Sequence, residues 1–199
     1  MSSIFKVISS TYSKNKKSYS FVPKKQRRLV ITNHSQSHKN QPKKVAILMG
    51  SPNDYEKMKP ALDTLTEIGL EPDMRVMSAH RQPYEVTQMA TNARNDGYAA
   101  VICGAGMSAH LAGVVAANTT LPVVGVPLSS SSLNGLDSLY STVQMPKGIP
   151  VATVAIDNAE NAALLVAQML SITNMNLSDK LRMKRQHVRE VLNSNPIVK

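Results

Sequence analysis

Ser78-Ala79-His80-Arg81 brings a hydroxyl, an imidazole and a guanidinium into four consecutive residues. An imidazole both gives and takes a proton near neutral pH. A guanidinium forks onto a phosphate or carboxylate through two parallel hydrogen bonds. The tetrapeptide follows a strand-like run, Met74-Arg75-Val76-Met77, and precedes a helix that opens near Pro83. That places it at the carboxyl end of a strand, the rim where ligands bind in an open α/β sheet. A polar strand-to-helix loop with no chemistry has the same composition, so the reading depends on what the rest of the chain puts beside it.

Three further segments are expected at the same rim. Ser51, Asn53 and Asp54 open a helix, where free N–H groups and the dipole favour a phosphate. Asp54 is also an acceptor for sugar hydroxyls. Gly104-Ala105-Gly106-Met107-Ser108-Ala109-His110 is a small-residue loop that lets backbone approach a ligand closely. Ser129 to Ser132 with Asn134-Gly135 adds hydroxyls suited to phosphate or ribose. No Cys–His cluster is present, so no metal site is expected. The chain has no Walker loop and no G-x-G-x-x-G followed by a ribose-binding acid, which argues against nucleoside triphosphates and dinucleotides.

The elements that must position these groups alternate. Val45-Ala46-Ile47-Leu48-Met49 is a continuous apolar run, as expected of a strand buried on both faces. Asn53 is expected to cap the next helix, with Glu56 in capping-box position. Met58, Leu62, Leu65, Ile68 and Leu70 give that helix its apolar face, and Gly69 ends it. Pro72 to Met77 is the second strand, and a helix over about Tyr84 to Arg94 follows. Ala99 to Cys103, Pro122 to Val126 and Val151 to Ile156 are three more strands. A short helix runs from His110 to Ala117, Asn158 caps another, and a basic amphipathic helix spans about Leu177 to Leu192. Strands and helices at this spacing imply βαβ units and a parallel sheet of about five strands.

Composition sets the surroundings. The 199 residues are 42% hydrophobic but only 4% aromatic, so the core is aliphatic, with 11 Met to fill it. The single cysteine, Cys103, ends a buried strand and packs there; it excludes an intramolecular disulfide framework. No run is apolar for long enough to cross a membrane. The formal charge of +10 is local. Of the 23 Lys and Arg, 11 fall in residues 1–44 with no acid among them, leaving 12 against all 13 acids in the remainder. The folded part is therefore not a basic nucleic-acid-binding domain. Residues 1–43 show no apolar period and read as a disordered basic extension. They suit an organelle transit peptide in being free of acids, although Lys outnumbers Arg. The expected organisation is an extension over 1–43, a catalytic domain over 44–175, and a C-terminal helix and tail over 176–199.

Several motifs stand in one order: Met49-Gly50-Ser51-Pro52-Asn53-Asp54, Ser78-Ala79-His80-Arg81, Gly104-Ala105-Gly106 through Ala109-His110-Leu111, and Leu133-Asn134-Gly135-Leu136-Asp137-Ser138-Leu139-Tyr140-Ser141 with Val143-Gln144-Met145-Pro146. In this the chain resembles the N5-carboxyaminoimidazole ribonucleotide mutases, the catalytic-subunit type of phosphoribosylaminoimidazole carboxylase, over about residues 44–172. The resemblance implies a single-domain, three-layer αβα, flavodoxin-like fold, a homo-octamer, and no metal, biotin or ATP. It implies an isomerase of de novo purine biosynthesis that moves a carboxylate from the exocyclic nitrogen of an aminoimidazole ribonucleotide to ring carbon four. It makes His80 the catalytic histidine, assigns Ser51, Asp54, Ser78 and Arg81 to phosphate and ribose, and sets Gly104, Ala105, Gly106 and His110 against the base. A lone histidine on a helix face, as His110 is read here, is more often structural than catalytic.

The residue types fit such a reaction. Decarboxylation leaves a neutral aminoimidazole and CO2, carbon four attacks the CO2, and a proton then leaves that carbon. One histidine that first gives and later takes a proton serves both steps. The chain departs from the family pattern at Asn53, at Met107 where a glycine is usual, and at Ala112 where a proline is usual. Two other readings compete. One is a carboxylase taking free CO2 and the unmodified aminoimidazole ribonucleotide, a branch with Lys in place of Arg81 and no match to Ala109-His110. The other is a non-catalytic phosphoribosyl-binding module on the same fold. The place expected for the protein is the cytoplasm, or an organelle if residues 1–43 are a transit peptide; the expected partners are a small ribonucleotide and further copies of the chain, with neither nucleic acid nor membrane.

Overall fold

The computed structural model describes residues 44–130 and 133–194. The expectations for residues 1–43, for Ser131 and Ser132, and for the tail over 195–199 fall outside the described residues. Among the described residues five strands form one all-parallel sheet: β1 (Lys44–Met49), β2 (Glu71–Val76), β3 (Tyr98–Gly106), β4 (Val123–Leu128) and β5 (Ala152–Thr153), in the order β2-β1-β3-β4-β5. The helices are α1 (Tyr55–Glu67), α2 (Pro83–Asn92), α3 (Leu111–Asn118), α4 (Leu136–Val143), α5 (Ala159–Ser171) and α6 (Met175–Ser194).

Alternation along β1 explains the three layers. Val45, Ile47 and Met49 join a core with α1, α5 and the start of α6, while Ala46 and Leu48 join a second core with α2 and α3. A strand with both faces covered must be apolar throughout, and β1 is buried from Val45 to Met49. This is the three-layer, flavodoxin-like arrangement. The order reverses between β1 and β3, since the chain leaves β1 toward β2 and returns on the other side. A crevice therefore opens above the carboxyl ends of β1 and β3. No helix among the described residues is long and apolar enough to cross a membrane.

Gly69 ends α1 with φ +81°, and Asn158 caps α5 by accepting from the Asn161 N–H at 3.0 Å. Three local expectations are corrected. Asn53 does not cap α1. Pro52–Asp54 forms a 3-10 turn first, Ser51 accepts from the Asn53 N–H at 3.3 Å, and Asp54 becomes the N-cap residue without a side-chain capping bond. The fifth strand is two residues long rather than six. It lies at the sheet edge, pairs only at Val124↔Ala152 and Gly125↔Thr153, and then peels away. Helix α4 was not expected. Its buried positions are Ser138 and Thr142, whose hydroxyls donate to the Leu128, Gly135 and Ser138 carbonyls at 2.7–2.9 Å, while Leu136, Tyr140 and Val143 face outward. The usual apolar-inside pattern is inverted there. Gly125 makes the close approach possible, because a Cβ on it would lie 2.3 Å from Thr142 Cγ2.

Candidate functional site

A cleft of about 660 Å³ occupies the crevice over β1 and β3. The β1–α1 segment contributes Gly50, Ser51, Asn53 and Asp54; the β2–α2 segment contributes Ser78, Ala79, His80 and Arg81; Ala105 to Ser108 and His110 come from the end of β3 and its loop, Leu111 from the start of α3, and Ser130 from beyond β4. Ser51, Asp54, Ser78, His80, Arg81, Ala105, Gly106 and His110 are thus brought together as expected residues of one site. Gly104 is not among the lining residues. It is buried within β3, where a Cβ would sit 2.2 Å from Met58 Sδ, and its carbonyl accepts from the Gly50 N–H at 3.1 Å. Its lack of a side chain serves packing against α1. Ala109, one of the small residues of the loop, is likewise buried behind the wall.

The two imidazoles meet. His80 Nε2 and His110 Nδ1 are 2.8 Å apart, with the rings edge to face at a centroid distance of 4.9 Å and an interplanar angle of 81°. One nitrogen must donate and the other accept, so the tautomer of either ring fixes that of the other. His110 occupies the N-cap position of α3 but makes no side-chain capping bond; its ring is turned to His80 instead.

Ser78 is buried and acts on Arg81. Its Oγ accepts from the Arg81 backbone N–H at 3.3 Å and from Arg81 Nε at 3.4 Å. Arg81 Nη2 donates to the Gly50 carbonyl at 2.8 Å, tying the β2–α2 segment to the β1–α1 segment. A guanidinium has five N–H donors, so these contacts leave donors for a ligand. Burial pushes the Asp54 carboxyl above its ordinary value, opposed by the Ser51 backbone and the charges of Lys57 and Arg81. A half-buried carboxylate that does not cap its own helix is a suitable acceptor for hydroxyls.

Sequence reasoning reached the serine run after β4 but did not single out Ser130. Its Oγ is buried without a hydrogen-bond partner among the described residues and lines the cleft. Gly106 makes room for it, since a Cβ there would lie 2.7 Å from that oxygen. Buried hydroxyls are rarely left unpaired, so a partner from a ligand fits this one. Met107 also lines the cleft, 58% exposed and with φ +54°, a conformation that glycine adopts more readily than a residue with a side chain. Cys103 is buried away from the cleft, and burial pushes its thiol up, so it is no nucleophile.

A family described as AIR carboxylase matches residues 44–191. The N5-carboxyaminoimidazole ribonucleotide mutase of Saccharolobus solfataricus is 52% identical over 139 residues, covering 70% of this chain and 88% of that protein. The Bacillus subtilis protein of the same name is 48% identical over 150 residues, covering 74% and 93%. The chloroplastic phosphoribosylaminoimidazole carboxylase of Vigna aconitifolia is 45% identical over 148 residues, 74% of this chain but 27% of that much longer protein. Among solved structures, the crystal structure of Treponema denticola PurE aligns with a TM-score of 0.70 and 29% identity over 80% of this chain and 99% of that one.

Proposed function

The chain belongs to the AIR carboxylase family, and on that premise we propose how its cleft works as a 5-(carboxyamino)imidazole ribonucleotide mutase, an isomerase of purine biosynthesis. The observation that carries the proposal is the hydrogen-bonded pair of His80 and His110 at the rim of a cleft whose other walls suit a ribonucleotide. In the first step the bond between the exocyclic nitrogen and its carboxylate breaks, CO2 is released into the cleft, and protonated His80 gives its proton to that nitrogen. In the second, ring carbon four attacks the CO2 and forms the new carbon–carbon bond. His80 then takes the proton from carbon four, which restores the starting state, so one residue does both transfers. His110 holds the ring of His80 and its tautomer. Arg81 and Ser51 receive the phosphate, Asp54 and Ser130 the hydroxyls, and Ala105 with Gly106 forms the small wall beside the CO2.

The carboxylase that uses free CO2 is the second reading, and the name of the Vigna relative favours it, though that name describes a protein of which this chain matches a minor part. Arg81 and His110 speak for the mutase. The test is an assay of the purified chain on both substrates. Conversion of the N-carboxylated ribonucleotide without added bicarbonate supports the proposal; turnover only of the unmodified ribonucleotide with bicarbonate overturns it.

The homo-octamer belongs to the same proposal. Leu136, Tyr140 and Val143 along α4 are the exposed apolar side chains that a neighbouring copy would cover, and sedimentation tests it. We read residues 1–43 as an extension to a catalytic domain over 44–175 with a C-terminal helix and tail over 176–199, placed in the cytoplasm or, if the extension is an address, in an organelle. A chain starting at Lys43 should keep its melting temperature and activity, and residues 1–43 fused to a reporter should reveal any address.

A further inference from the structure

Ser129, the first residue beyond β4, is held by two charged residues that the chemistry above does not use. Asp157 accepts from the Ser129 N–H at 2.8 Å and from the Ser129 hydroxyl. Lys57 Nζ donates to the Ser129 carbonyl and, at 2.5 Å, to Ser129 Oγ, and stands 3.4 Å from the Asp157 carboxylate. Every hydrogen-bonding group of one serine is thereby committed. Asp157 is itself fastened to β4, its N–H donating to the Pro127 carbonyl at 2.9 Å. It also takes a left-handed backbone with φ +56°, and among the described residues only Met107 and Asn134 share that conformation without being glycine.

Lys57 comes from the first turn of α1, three residues beyond Asp54 in the opposite wall of the cleft. The cluster therefore joins the wall at Ser51 to Asp54 to the wall at Ser130. The side chains of Lys57 and Asp157 are 36% and 35% exposed, so as an ion pair they add little to stability. What they do fix is where Ser130 begins. We propose that Lys57 and Asp157 are positioning residues that act through Ser129 to hold the Ser130 hydroxyl beside Gly106 for the bound ribonucleotide. This rests on the reading of the cleft given under the proposed function.

The test compares Asp157→Gly, Asp157→Asn and Lys57→Met in the full chain. Glycine keeps the left-handed backbone and removes every side-chain contact, while Asn keeps an acceptor for the Ser129 N–H and tolerates the same backbone. Asp157→Gly and Lys57→Met should raise KM about five- to tenfold with kcat within about threefold, and Asp157→Asn should return KM to within about threefold of the parent. Unchanged KM in Asp157→Gly and Lys57→Met overturns the proposal. So does a fall in melting temperature with no recovery of KM in Asp157→Asn, which marks a structural role only. If the parent turns over no ribonucleotide, the reading of the cleft fails by itself, and amide hydrogen exchange over Leu128 to Ser130 decides the positioning. Faster exchange in Asp157→Gly at an unchanged melting temperature supports it, and unchanged exchange overturns it.

Discussion

The two ends of the sheet treat polar side chains in opposite ways. Toward the amino end of the strands, Lys44, Asp73 and Tyr98 are joined by the side chain of Arg75, from later in β2, and the four satisfy one another. Arg75 donates to Asp73 at 2.8 Å and to Tyr98 Oη at 2.9 Å, the Tyr98 hydroxyl donates to Asp73, and Lys44 lies 3.4 Å from Asp73 and 4.4 Å from the Tyr98 ring centroid. At the carboxyl end, and among the described residues, Ser130 has a buried oxygen without a partner, Arg81 keeps donors beyond those it uses, and the two histidines pair with each other. A network that closes on itself stabilises a fold. A set of groups left open at a crevice costs stability unless a ligand completes it. The difference separates a structural cluster from a site using the same residue types.

Substitutions at the two ends should therefore fail differently. The largest effect is expected from His80→Asn, which removes the proton carrier but leaves a polar side chain. Turnover should fall about a hundredfold to ten-thousandfold with binding retained, measured by steady-state conversion beside calorimetric titration. Near-parental turnover would remove His80 from the chemistry. Next is Arg81→Ala, which should weaken binding of the phosphorylated substrate by about tenfold or more. The dephosphorylated nucleoside is the control, and an equal loss for it would show that Arg81 does not meet the phosphate.

At the amino end the effect should be on stability alone. Hydrogen bonding from Arg75, helped by Tyr98 and Lys44 against the cost of burial, lowers the Asp73 carboxyl from 3.8 to about 2. A carboxyl held below its unfolded value stabilises the fold above that value and loses the contribution as pH falls through the folded one. Asp73→Asn should cost on the order of 1–2 kcal/mol at neutral pH with unchanged kcat. In urea titrations the gap from the parent should shrink as pH drops from about 4 toward 2. A gap that persists at the acid end would contradict the assignment. The smallest effect is expected from Met107→Gly. Relief of the left-handed backbone offsets the added freedom of the unfolded chain, so stability should stay within about 0.5 kcal/mol by the same titration.

How much of this was legible in the sequence depended on the distance over which each feature is decided. The place of His80 and Arg81 at the rim of the sheet is legible because a strand, a polar tetrapeptide and a proline-led helix stand next to one another. The alternation of strands and helices likewise gave the layers and the rim. Gly104 was assigned to the ligand because glycine-rich loops often approach ligands, yet its requirement comes from Met58 on another element. Ser130 could not be told from its neighbours without knowing that β4 ends at Leu128. Lys57 and Asp157 are a hundred residues apart, and no local pattern announces their meeting on Ser129. Helix α4 was hidden because its buried face carries hydroxyls that return to backbone carbonyls while its apolar residues face outward.

The contrast between the ends is tested most directly by amide hydrogen exchange on the His80→Asn variant with and without the N-carboxylated ribonucleotide, which this variant should bind without converting. Protection should rise at Gly50, Ser51, Asn53 and Asp54, at Ser78 to Arg81, at Ala105 to His110 and at Ser130, and should not change at Lys44, Asp73 and Tyr98. Protection absent from the carboxyl rim, or equal at both ends, would contradict the account.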